Sequence, residues 1–561
     1  MRLVIGLLLL TVAPAAAQGP GQAPFSAAAA HARVESLATE YYRAKFAMYP
    51  AYATAKGVRT QDSALSQFAP LKVRKFIIGT KGMLRDLAAV PEDSLSLQAW
   101  VDLKALQADM EGQVFLLQDR SAQTRSPLLY VDACTNGLYQ LVIRDAAFRS
   151  NPNFVARLSA VPGVLETARK NLTQPIRLHG ELAAASITAF LPFLEGLADP
   201  ADADHADLAR AAGEARTALV QFEAYLDSIR ATADTSFALG YDDFAKLLQT
   251  GHLIQDSPEE LLAYAERTLK DARAKLSALP PEGESGARDL DGALRLTKAD
   301  ILASFNTEAD SAIAFLERRH LVTVPHDTPV IAVETPGFIR VLVPGYAYEP
   351  PGPADSDQLG LLYVPLPEEL DLESQVDYKA RIDQRKYRGI VVHELYPGHH
   401  LQITSANRAG TLTRRMAEDL FTVEGWALYC EEMMAAEGYY GPEGTRRMLR
   451  GVVLRAARAV VDIKLQTGRF SLDEAVDFMA SQTDGNRTYY EQEVRRYAVE
   501  PAQAMSYLIG KREIVSLRDE MRRIEGDRFT LGGFHDALVR CGSLAPYLVR
   551  ISMIAGVTGR E

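Results

Sequence analysis

The stretch 391–402 reads VVHELYPGHHLQ and holds three of the chain's ten histidines within eight positions. A glutamate follows the first histidine, and a Pro-Gly pair separates it from the other two. On one continuous helix, four residues turn by about 400°, so that H-E-x-x-H places both histidines on one face. His393 and His399 are instead six residues apart, which corresponds to about 600°. An unbroken helix therefore cannot bring these two side chains to one metal ion.

The pair Pro397-Gly398 marks the point where the helix has to break. Proline disfavours helical dihedral angles at the residue before it and lacks a backbone donor, while glycine permits unusual dihedral angles. We expect a local bulge that brings His399 back beside His393. His400 is the competing ligand, because seven residues turn by about 700° and restore the face, although a regular helix carries it roughly 10 Å further along. Both alternatives stay open.

A third ligand is expected from the next strongly periodic segment, FTVEGWALYCEEM (421–433). Two antiparallel helices with a short connection would place Glu424 opposite the histidines. Two histidines and one carboxylate with an open fourth position are the usual composition of a hydrolytic zinc site, although manganese, cobalt or iron would suit the same set. Glu394 would then be the general base, and Glu431, one heptad after Glu424, could orient a ligand. The sequence thus predicts one zinc ion per chain.

The overall composition argues against several classes of protein. The formal net charge is −11 and no Lys/Arg-rich run is present, which argues against a nucleic-acid or anionic-membrane partner. A Walker loop, a GxSxG elbow and a dinucleotide fingerprint are all missing from the sequence. The three cysteines, Cys134, Cys430 and Cys541, form no CxxC motif, and a bridge between Cys134 and Cys541 stays open.

Residues 1–17 have the three parts of a secretory signal peptide. Arg2 supplies the positive charge, residues 3–12 the apolar run, and residues 15–17 a small-residue cleavage site. The apolar run is too short to span a bilayer, and no cysteine follows the cleavage site to carry a lipid. Residues 18–30 are expected to be a flexible leader. We therefore expect an exported protein, periplasmic or secreted, without membrane insertion after cleavage.

Helical periodicity dominates the chain after this leader. Capping boxes begin helices at Ser257 and Ser471, because Glu260 and Glu474 follow them by three residues. Apolar residues recur at helical spacing in five further tracts: 31–48, 99–118, 205–232, 412–437 and 445–466.

The region 321–365 differs, because β-branched runs (VIAV, FIRVLV, LLYV) alternate there with Pro and Gly. This pattern predicts a small sheet or hairpins. The run GLLYV (360–364) could be an edge strand that binds an extended peptide, or a strand that only covers the core. The sequence therefore predicts a mainly α protein with one small β element.

Three stretches carry a resemblance to a known family: HELYPGHHLQ (393–402), EGWALYCEE (424–432) and YAVEPAQAMSYLIGKREIVSLR (497–518). Together with YPAYATAKGVRTQD (49–62), they resemble the bacterial family called domain of unknown function 885 along nearly the whole mature chain. That family looks similar in turn to the helical metallopeptidases, namely thimet oligopeptidase and neurolysin, angiotensin-converting enzyme, and the carboxypeptidase Taq family. The resemblance implies one catalytic unit, residues 31–561, of two helical lobes around a deep channel.

The resemblance also implies roles for single residues. His393 and His399 match the two histidine ligands, Glu394 the general base and Glu424 the third ligand. This chain departs from H-E-x-x-H by two extra residues before Gly398, which leaves the second ligand open between His399 and His400.

In the resembled peptidases a tyrosine donates to the oxyanion opposite the zinc. Tyr507 is the first candidate for this role and Tyr497 the second. Arg496 or Lys511 could hold a carboxylate of the substrate, because a guanidinium binds a carboxylate in bidentate fashion. Tyrosines at helical spacing are more often core residues, and arginines are more often solvated.

The sequence thus predicts an exported zinc-dependent peptidase acting on short peptides, since a narrow channel excludes folded proteins. In this hypothesis Glu394 takes a proton from the attacking water and passes it to the leaving amine. One alternative is a non-catalytic peptide- or metal-binding protein on the same fold, although such a protein would not need Glu394. Another is a metal-dependent hydrolase of non-peptide amides. A structural metal site is a weaker alternative, since it usually has four protein ligands.

Overall fold

The computed structural model describes residues 26–198, 203–280, 295–336, 345–483 and 485–558. The predicted signal peptide, most of the predicted leader and the run FIRVLV (338–343) lie outside these residues. The α-helices are Ala27–Met48, Pro50–Ala55, Pro70–Ala88, Leu97–Val114, Ala122–Arg125, Pro127–Val142, Pro152–Asn171, Arg177–Leu197, Ala206–Ile229, Tyr241–Lys246, Pro258–Ser277, Lys298–Arg319, Leu372–Asp383, Arg388–Glu394, His399–Ala406, Leu412–Met416, Leu420–Ala436, Pro442–Gln466, Leu472–Gln482, Arg487–Val499, Gln503–Glu525, Leu531–Arg540 and Pro546–Thr558. The predicted mainly α class is confirmed.

Side-chain caps explain where many of these helices begin. The capping boxes predicted at Ser257 and Ser471 are both present. A third capping box, between Thr297 and Asp300, was missed by sequence reasoning because aspartate stands in the place of the usual glutamate. The hydroxyl of Ser26 caps the first helix, which starts at Ala27 and so lies partly inside the stretch predicted as a leader.

The predicted tract 412–437 is divided into two helices. Ala417 is extended, with φ −67° and ψ 136°, which ends the short helix Leu412–Met416. Asp419 then accepts a hydrogen bond of 3.0 Å from the backbone N–H of Phe421 and caps a new helix. We call this new helix, Leu420–Ala436, the glutamate helix because it carries Glu424. Its direction is set by its own cap rather than by the helix before it.

The β element is a three-stranded sheet of β1 (Val330–Glu334), β2 (Ala347–Glu349) and β3 (Gly360–Val364), in the order β1-β3-β2. Strands β1 and β3 pair in parallel, with Val330 opposite Gly360, and β2 pairs with β3 antiparallel. The small β element is therefore confirmed, but the expectation that GLLYV is an edge strand is wrong. It is the central strand, and its backbone groups already pair with both neighbours.

Buried apolar side chains form three clusters. The first joins the N-terminal helices from Ala30 to Leu226, together with Met416. The second and third lie mostly in the rest of the chain. The glutamate helix and the helix Gln503–Glu525, here called the tyrosine helix, contribute to both of these clusters and pack along each other. The arrangement in two lobes around a channel stays a prediction.

The glutamate and tyrosine helices cross at two glycines. A Cβ atom added at Gly510 would overlap the carbonyl oxygen of Phe421, and one added at Gly425 would overlap the backbone of Gly510. Only glycine at both positions leaves room for the two helix backbones to come into direct contact. The crossing therefore fixes the position of Glu424, next to Gly425, relative to the tyrosine helix.

The helix Arg177–Leu197 is the one candidate among the described residues that is long and apolar enough to cross a membrane. Ile187, Phe190 and Leu194 on this helix are at most 1% exposed and belong to the first cluster. This helix thus buries one face in the N-terminal core, as core helices of similar composition do.

All three cysteines are free and buried. Cys134 belongs to the first cluster, whereas Cys430 and Cys541 belong to the second. The bridge between Cys134 and Cys541 that the sequence left open is therefore not formed.

We expect Gly510→Ala to destabilise the protein by about 1–3 kcal/mol, because the added methyl group has to push the two helices apart. Gly213→Ala is the matched control, since this glycine also lies in a helix but has nothing within 4 Å of an added Cβ. The control should be neutral or stabilising by up to about 1 kcal/mol. Thermal unfolding of both variants checks this, and equal melting temperatures would contradict the close crossing.

Candidate metal centre

The helix that begins at Arg388 ends at Glu394, and a second helix starts at His399. Leu395, with φ −114° and ψ −84°, leaves the helical region, and Gly398 lies directly against the carbonyl group of His393, where any side chain would overlap it. The chain thus folds back on itself within four residues. The break joins two short helices instead of forming a bulge in one.

The glutamate helix holds this break in place. The indole Nε1 of Trp426 donates a hydrogen bond of 2.7 Å to the carbonyl oxygen of Pro397, and the thiol of Cys430 lies 3.7 Å from the same oxygen. The rings of His393 and His399 meet with their centroids 4.9 Å apart and nearly perpendicular, at 85°. The interruption therefore makes the two histidines converge.

Glu424 completes a cluster of three possible ligands. Its Oε2 atom lies 3.7 Å from His393 Nε2 and 3.3 Å from His399 Nε2. One atom from each of the three residues lies within 4.8 Å of the other two, which is the spacing that a shared metal ion requires. Glu424 Oε2 is buried and has no hydrogen-bond partner among the described residues. Because an unsatisfied buried oxygen is costly, the residues present fit a cation at this point.

Glu431 orients the first histidine. Its Oε1 atom accepts a hydrogen bond of 2.8 Å from His393 Nδ1 and a second one of 3.2 Å from Arg455 Nη2. With Nδ1 engaged, Nε2 of His393 is the nitrogen left to bind a metal. A carboxylate behind a metal-binding histidine is a common arrangement that fixes the ring and its tautomer.

The charges around the cluster favour a cation. Burial alone would lower the pKa of His393, but the neighbouring carboxylates of Glu424 and Glu431 outweigh it and raise this pKa to about 10. Burial would raise the pKa of Glu424, but the two imidazoles hold it well below its usual range. The carboxylates that keep a proton on His393 would equally hold a metal ion.

His400 is not available as a ligand. Its Nε2 atom donates a hydrogen bond of 2.9 Å to the carbonyl oxygen of Thr328, and its Nδ1 atom accepts one of 2.8 Å from the hydroxyl of Tyr348. The side chain is fully buried, and burial lowers its pKa to about 4, so the ring is neutral. Through Tyr348, His400 connects its helix to β2. A Cβ atom added at Gly360 of β3 would lie 2.7 Å from Nδ1 of His400, so the ring also packs closely against β3.

Glu394 is the last residue of its helix and follows the first ligand directly. Burial raises the pKa of its carboxyl group, the imidazoles of His393 and His399 oppose this shift, and Glu424 adds to it. No hydrogen bond to its side chain is found among the described residues. A carboxylate with a raised pKa and free oxygens beside a metal cluster has the properties of a general base.

Tyr507, on the tyrosine helix, lies at the same cluster. Its ring stacks on that of His393, with centroids 6.1 Å apart and an angle of 18°. Gln503 Nε2 donates a hydrogen bond of 3.2 Å to the Tyr507 hydroxyl, whose own hydrogen stays free to donate. Burial raises the pKa of Tyr507 to about 12, so the hydroxyl keeps its proton at neutral pH.

The other three predicted residues, Tyr497, Arg496 and Lys511, already have partners of their own. Tyr497 donates a hydrogen bond of 2.8 Å to Glu493 and is 1% exposed. Arg496 forms ion pairs of 3.0 Å with Glu493 and 3.3 Å with Glu500. Their predicted roles stay predictions, and these contacts count against them.

Lys511 is also engaged, through an ion pair with Glu432 on the glutamate helix. This pair lies one residue beyond the Gly510 crossing and ties the two helices together. Its ammonium is therefore already neutralised, which counts against binding a substrate carboxylate.

The helix Pro442–Gln466, here called the arginine helix, confirms the predicted helical tract 445–466, but sequence reasoning missed the charged side chains that it brings to the site. Arg455 supports Glu431, and Arg458 places its guanidinium carbon 4.4 Å from the centre of the Tyr507 ring. Asp462, fully buried, accepts hydrogen bonds from the backbone N–H groups of Ala502 and Met505 at the start of the tyrosine helix. The available signal was the stretch GVVLRAARAVVDIKLQ (451–466), where charged residues recur on one face of an apolar helix.

Comparison with known proteins shows the family. The model of a family described as "Bacterial protein of unknown function (DUF885)" matches residues 50–553. The chain belongs to this family. The predicted resemblance to the family is thus confirmed, while its description names no activity. No curated protein matches the chain significantly.

Two solved structures share the fold. One, from Shewanella oneidensis and provisionally described as a lipoprotein of unknown function, has a TM-score of 0.74 and 19% identity over 93% of this chain and 99% of its own. Another, from Colwellia psychrerythraea and provisionally described as a lipoprotein, has a TM-score of 0.76 and 17% identity over 94% of this chain and 99% of its own. At these identities the likeness establishes the fold alone.

We expect His399→Gln to lower the affinity for zinc by more than about 100-fold, because it removes a ligand rather than a supporting residue. His400→Gln should change the zinc affinity by less than about 10-fold and instead lower the stability by roughly 1–3 kcal/mol, because it disturbs buried hydrogen bonds. Calorimetric zinc titration of chelator-stripped protein, together with thermal unfolding, checks both. A larger loss of affinity in His400→Gln would reverse the assignment.

Proposed function

We propose that the protein is an exported, zinc-dependent peptidase that hydrolyses short peptides. The observation that supports this most is the ligand cluster of His393, His399 and Glu424 with the free carboxylate of Glu394 directly beside it. Two histidines and one carboxylate leave a coordination position open, as catalytic zinc sites do. A bound zinc ion would supply a Lewis acid and lower the pKa of a water molecule at that position.

In this proposal Glu394 moves the proton. Its carboxylate accepts a proton from the attacking water and then donates it to the nitrogen of the leaving amine. The raised pKa of Glu394 favours the first step, since it makes this carboxylate a stronger base than an ordinary one. Because its oxygens have no other hydrogen-bond partner among the described residues, no existing contact has to be broken.

Tyr507 would stabilise the negative charge that develops on the carbonyl oxygen of the substrate. Gln503 occupies one lone pair of the phenol oxygen, and this leaves the O–H hydrogen to point at the substrate. The orientation of the Gln503 amide is fixed, because its oxygen accepts hydrogen bonds of 3.2 Å from both Arg458 and Arg496. Donors that are held in place before the reaction are a large source of catalysis.

An exported location is part of the proposal. Residues 1–17 have the pattern of a signal peptide, and the two neighbours in fold are described as lipoproteins, a class of exported protein.

Two other functions use the same cluster. A non-catalytic metal- or peptide-binding protein would need the ligands but would gain nothing from Glu394, whose burial is unfavourable. A hydrolase of non-peptide amides would use all of these residues and differ in its substrate alone. Peptide cleavage distinguishes the proposal from both.

We expect zinc-loaded protein to cleave peptides in a mixture of short sequences, as read by mass spectrometry, and a chelator to abolish cleavage. Glu394→Gln should lower kcat by at least about 100-fold, because the general base is lost, while zinc binding persists. Glu266→Gln is the control, since Glu266 is half-exposed and, within the described part of the chain, pairs with Lys464 alone. Zinc binding without cleavage by the unaltered protein would favour a binding protein or another amide substrate. Full activity in Glu394→Gln would reject Glu394 as the base.

The two tyrosines form a matched pair for a second experiment. Tyr507→Phe should lower kcat by about 100- to 1000-fold with a small change in KM, because only the donor to the oxyanion is removed. Tyr497→Phe should leave kcat within a few-fold of the unaltered protein and lower the stability by about 1 kcal/mol, since its hydroxyl donates to Glu493. The same loss of kcat in both variants would argue against a specific role for Tyr507.

A further inference from the structure

Arg458 is a nearly buried cation without a direct ion pair among the described residues, and the carboxylates of Glu493 and Glu424 act on it only at longer range. Its side chain is 8% exposed, and no carboxylate among the described residues lies within ion-pair distance of its guanidinium. Its Nη2 atom donates to the Gln503 side chain at 3.2 Å, and its Nε atom is buried without a partner. A buried charge without a partner is costly and is kept where an anion binds.

The neighbouring cations are all neutralised. Arg455 pairs with Glu431, Arg496 with two carboxylates, and Lys511 with Glu432. Asp462, one turn from Arg458 on the same helix, is also unavailable, because both of its oxygens accept backbone hydrogen bonds at the start of the tyrosine helix. Of these four cations, Arg458 alone is left to receive an anion.

The surroundings of Arg458 hold its guanidinium in a fixed place. Its guanidinium carbon lies 4.4 Å from the centre of the Tyr507 ring and 5.1 Å from that of the Tyr497 ring. Tyr507 in turn stacks on the ligand His393. A planar guanidinium held between aromatic rings is suited to bind a carboxylate in bidentate fashion.

We propose that Arg458 binds the free C-terminal carboxylate of the substrate, so that the protein removes the last residue of a short peptide. This proposal rests on the function proposed above. The guanidinium carbon of Arg458 lies 4.4 Å from the centre of the Tyr507 ring, so the two side chains are neighbours, and one residue of extended chain spans only about 3.5 Å. If Tyr507 contacts the carbonyl oxygen of the scissile bond, the carboxylate one residue further along reaches Arg458.

Peptides in pairs, identical except for a free or an amidated C-terminus, test this proposal without any variant. We expect the zinc-loaded protein to cleave the free acid with at least about 10-fold higher kcat/KM and to release a single C-terminal residue, because the amide cannot form the charge-assisted contact. Equal cleavage of acid and amide, or cleavage in the middle of long peptides, would contradict the proposed role of Arg458. Neither result would contradict the proposed peptidase activity.

Binding measurements separate the subsite from the activity. In the zinc-loaded Glu394→Gln background, Arg458→Gln should weaken the binding of the free acid by about 10- to 100-fold and that of the amide by less than about 3-fold. Arg458→Lys should restore part of the difference. Arg469→Gln is the control for an exposed arginine, because Arg469 pairs with Glu259 away from the cluster. Thermal unfolding shows that each variant is folded.

Each further outcome decides one of the two proposals. Selective binding of the free acid that depends on Arg458, without any cleavage by the unaltered protein, would support the subsite and count against the peptidase. If Arg496→Gln rather than Arg458→Gln abolished the preference for the free acid, the carboxylate would be assigned to Arg496, which would overturn the proposal. A preference for acidic side chains in peptides with an amidated C-terminus would show that Arg458 binds a side-chain carboxylate. That result would also overturn the proposal that Arg458 binds the C-terminal carboxylate.

Discussion

The close crossing of the glutamate and tyrosine helices is the constraint on which the rest of the site depends. Gly425 and Gly510 let the two backbones touch, and no larger residue fits at either position. Glu424 lies next to one glycine, and Tyr507 lies one turn before the other. The ion pair between Lys511 and Glu432 closes the crossing on one side. A candidate ligand and a candidate hydroxyl donor from distant parts of the sequence thus meet at a distance set by backbone contact.

The glutamate helix also builds the histidine part of the site. Trp426 holds the carbonyl group of Pro397, Glu431 orients His393, and Glu424 faces both imidazoles. A single helix therefore fixes the break in the chain, the tautomer of His393 and the position of Glu424, two of the three candidate ligands. The arginine helix adds the next layer, since Arg455 supports Glu431 and Asp462 caps the tyrosine helix. Because charges are paired throughout this layer, the unpaired guanidinium of Arg458 stands out as a place for an anion.

Much of this could be predicted from the sequence, and the failures have physical causes. The mainly α class, the small sheet and the capping boxes follow from local periodicity and local hydrogen bonds, which a short window of sequence contains. An edge position for GLLYV was one of two open alternatives, because a strand by itself does not reveal how many neighbours pair with it. Arg496 and Lys511 were named as candidates for a substrate carboxylate, since the sequence shows a positive charge but not the carboxylates that pair with it.

The sequence by itself determined the residue types of the candidate centre and the need for a break between His393 and His399. Helix geometry demands that break whatever surrounds it, and Pro397-Gly398 supplies it. Only the tertiary structure decided between His399 and His400, because the choice depends on Thr328 and Tyr348, which occupy both ring nitrogens of His400. It also brings the ring of Tyr507 onto His393 and the guanidinium of Arg458 onto the ring of Tyr507. These answers come from contacts between residues that are far apart in the chain, and no local pattern records them.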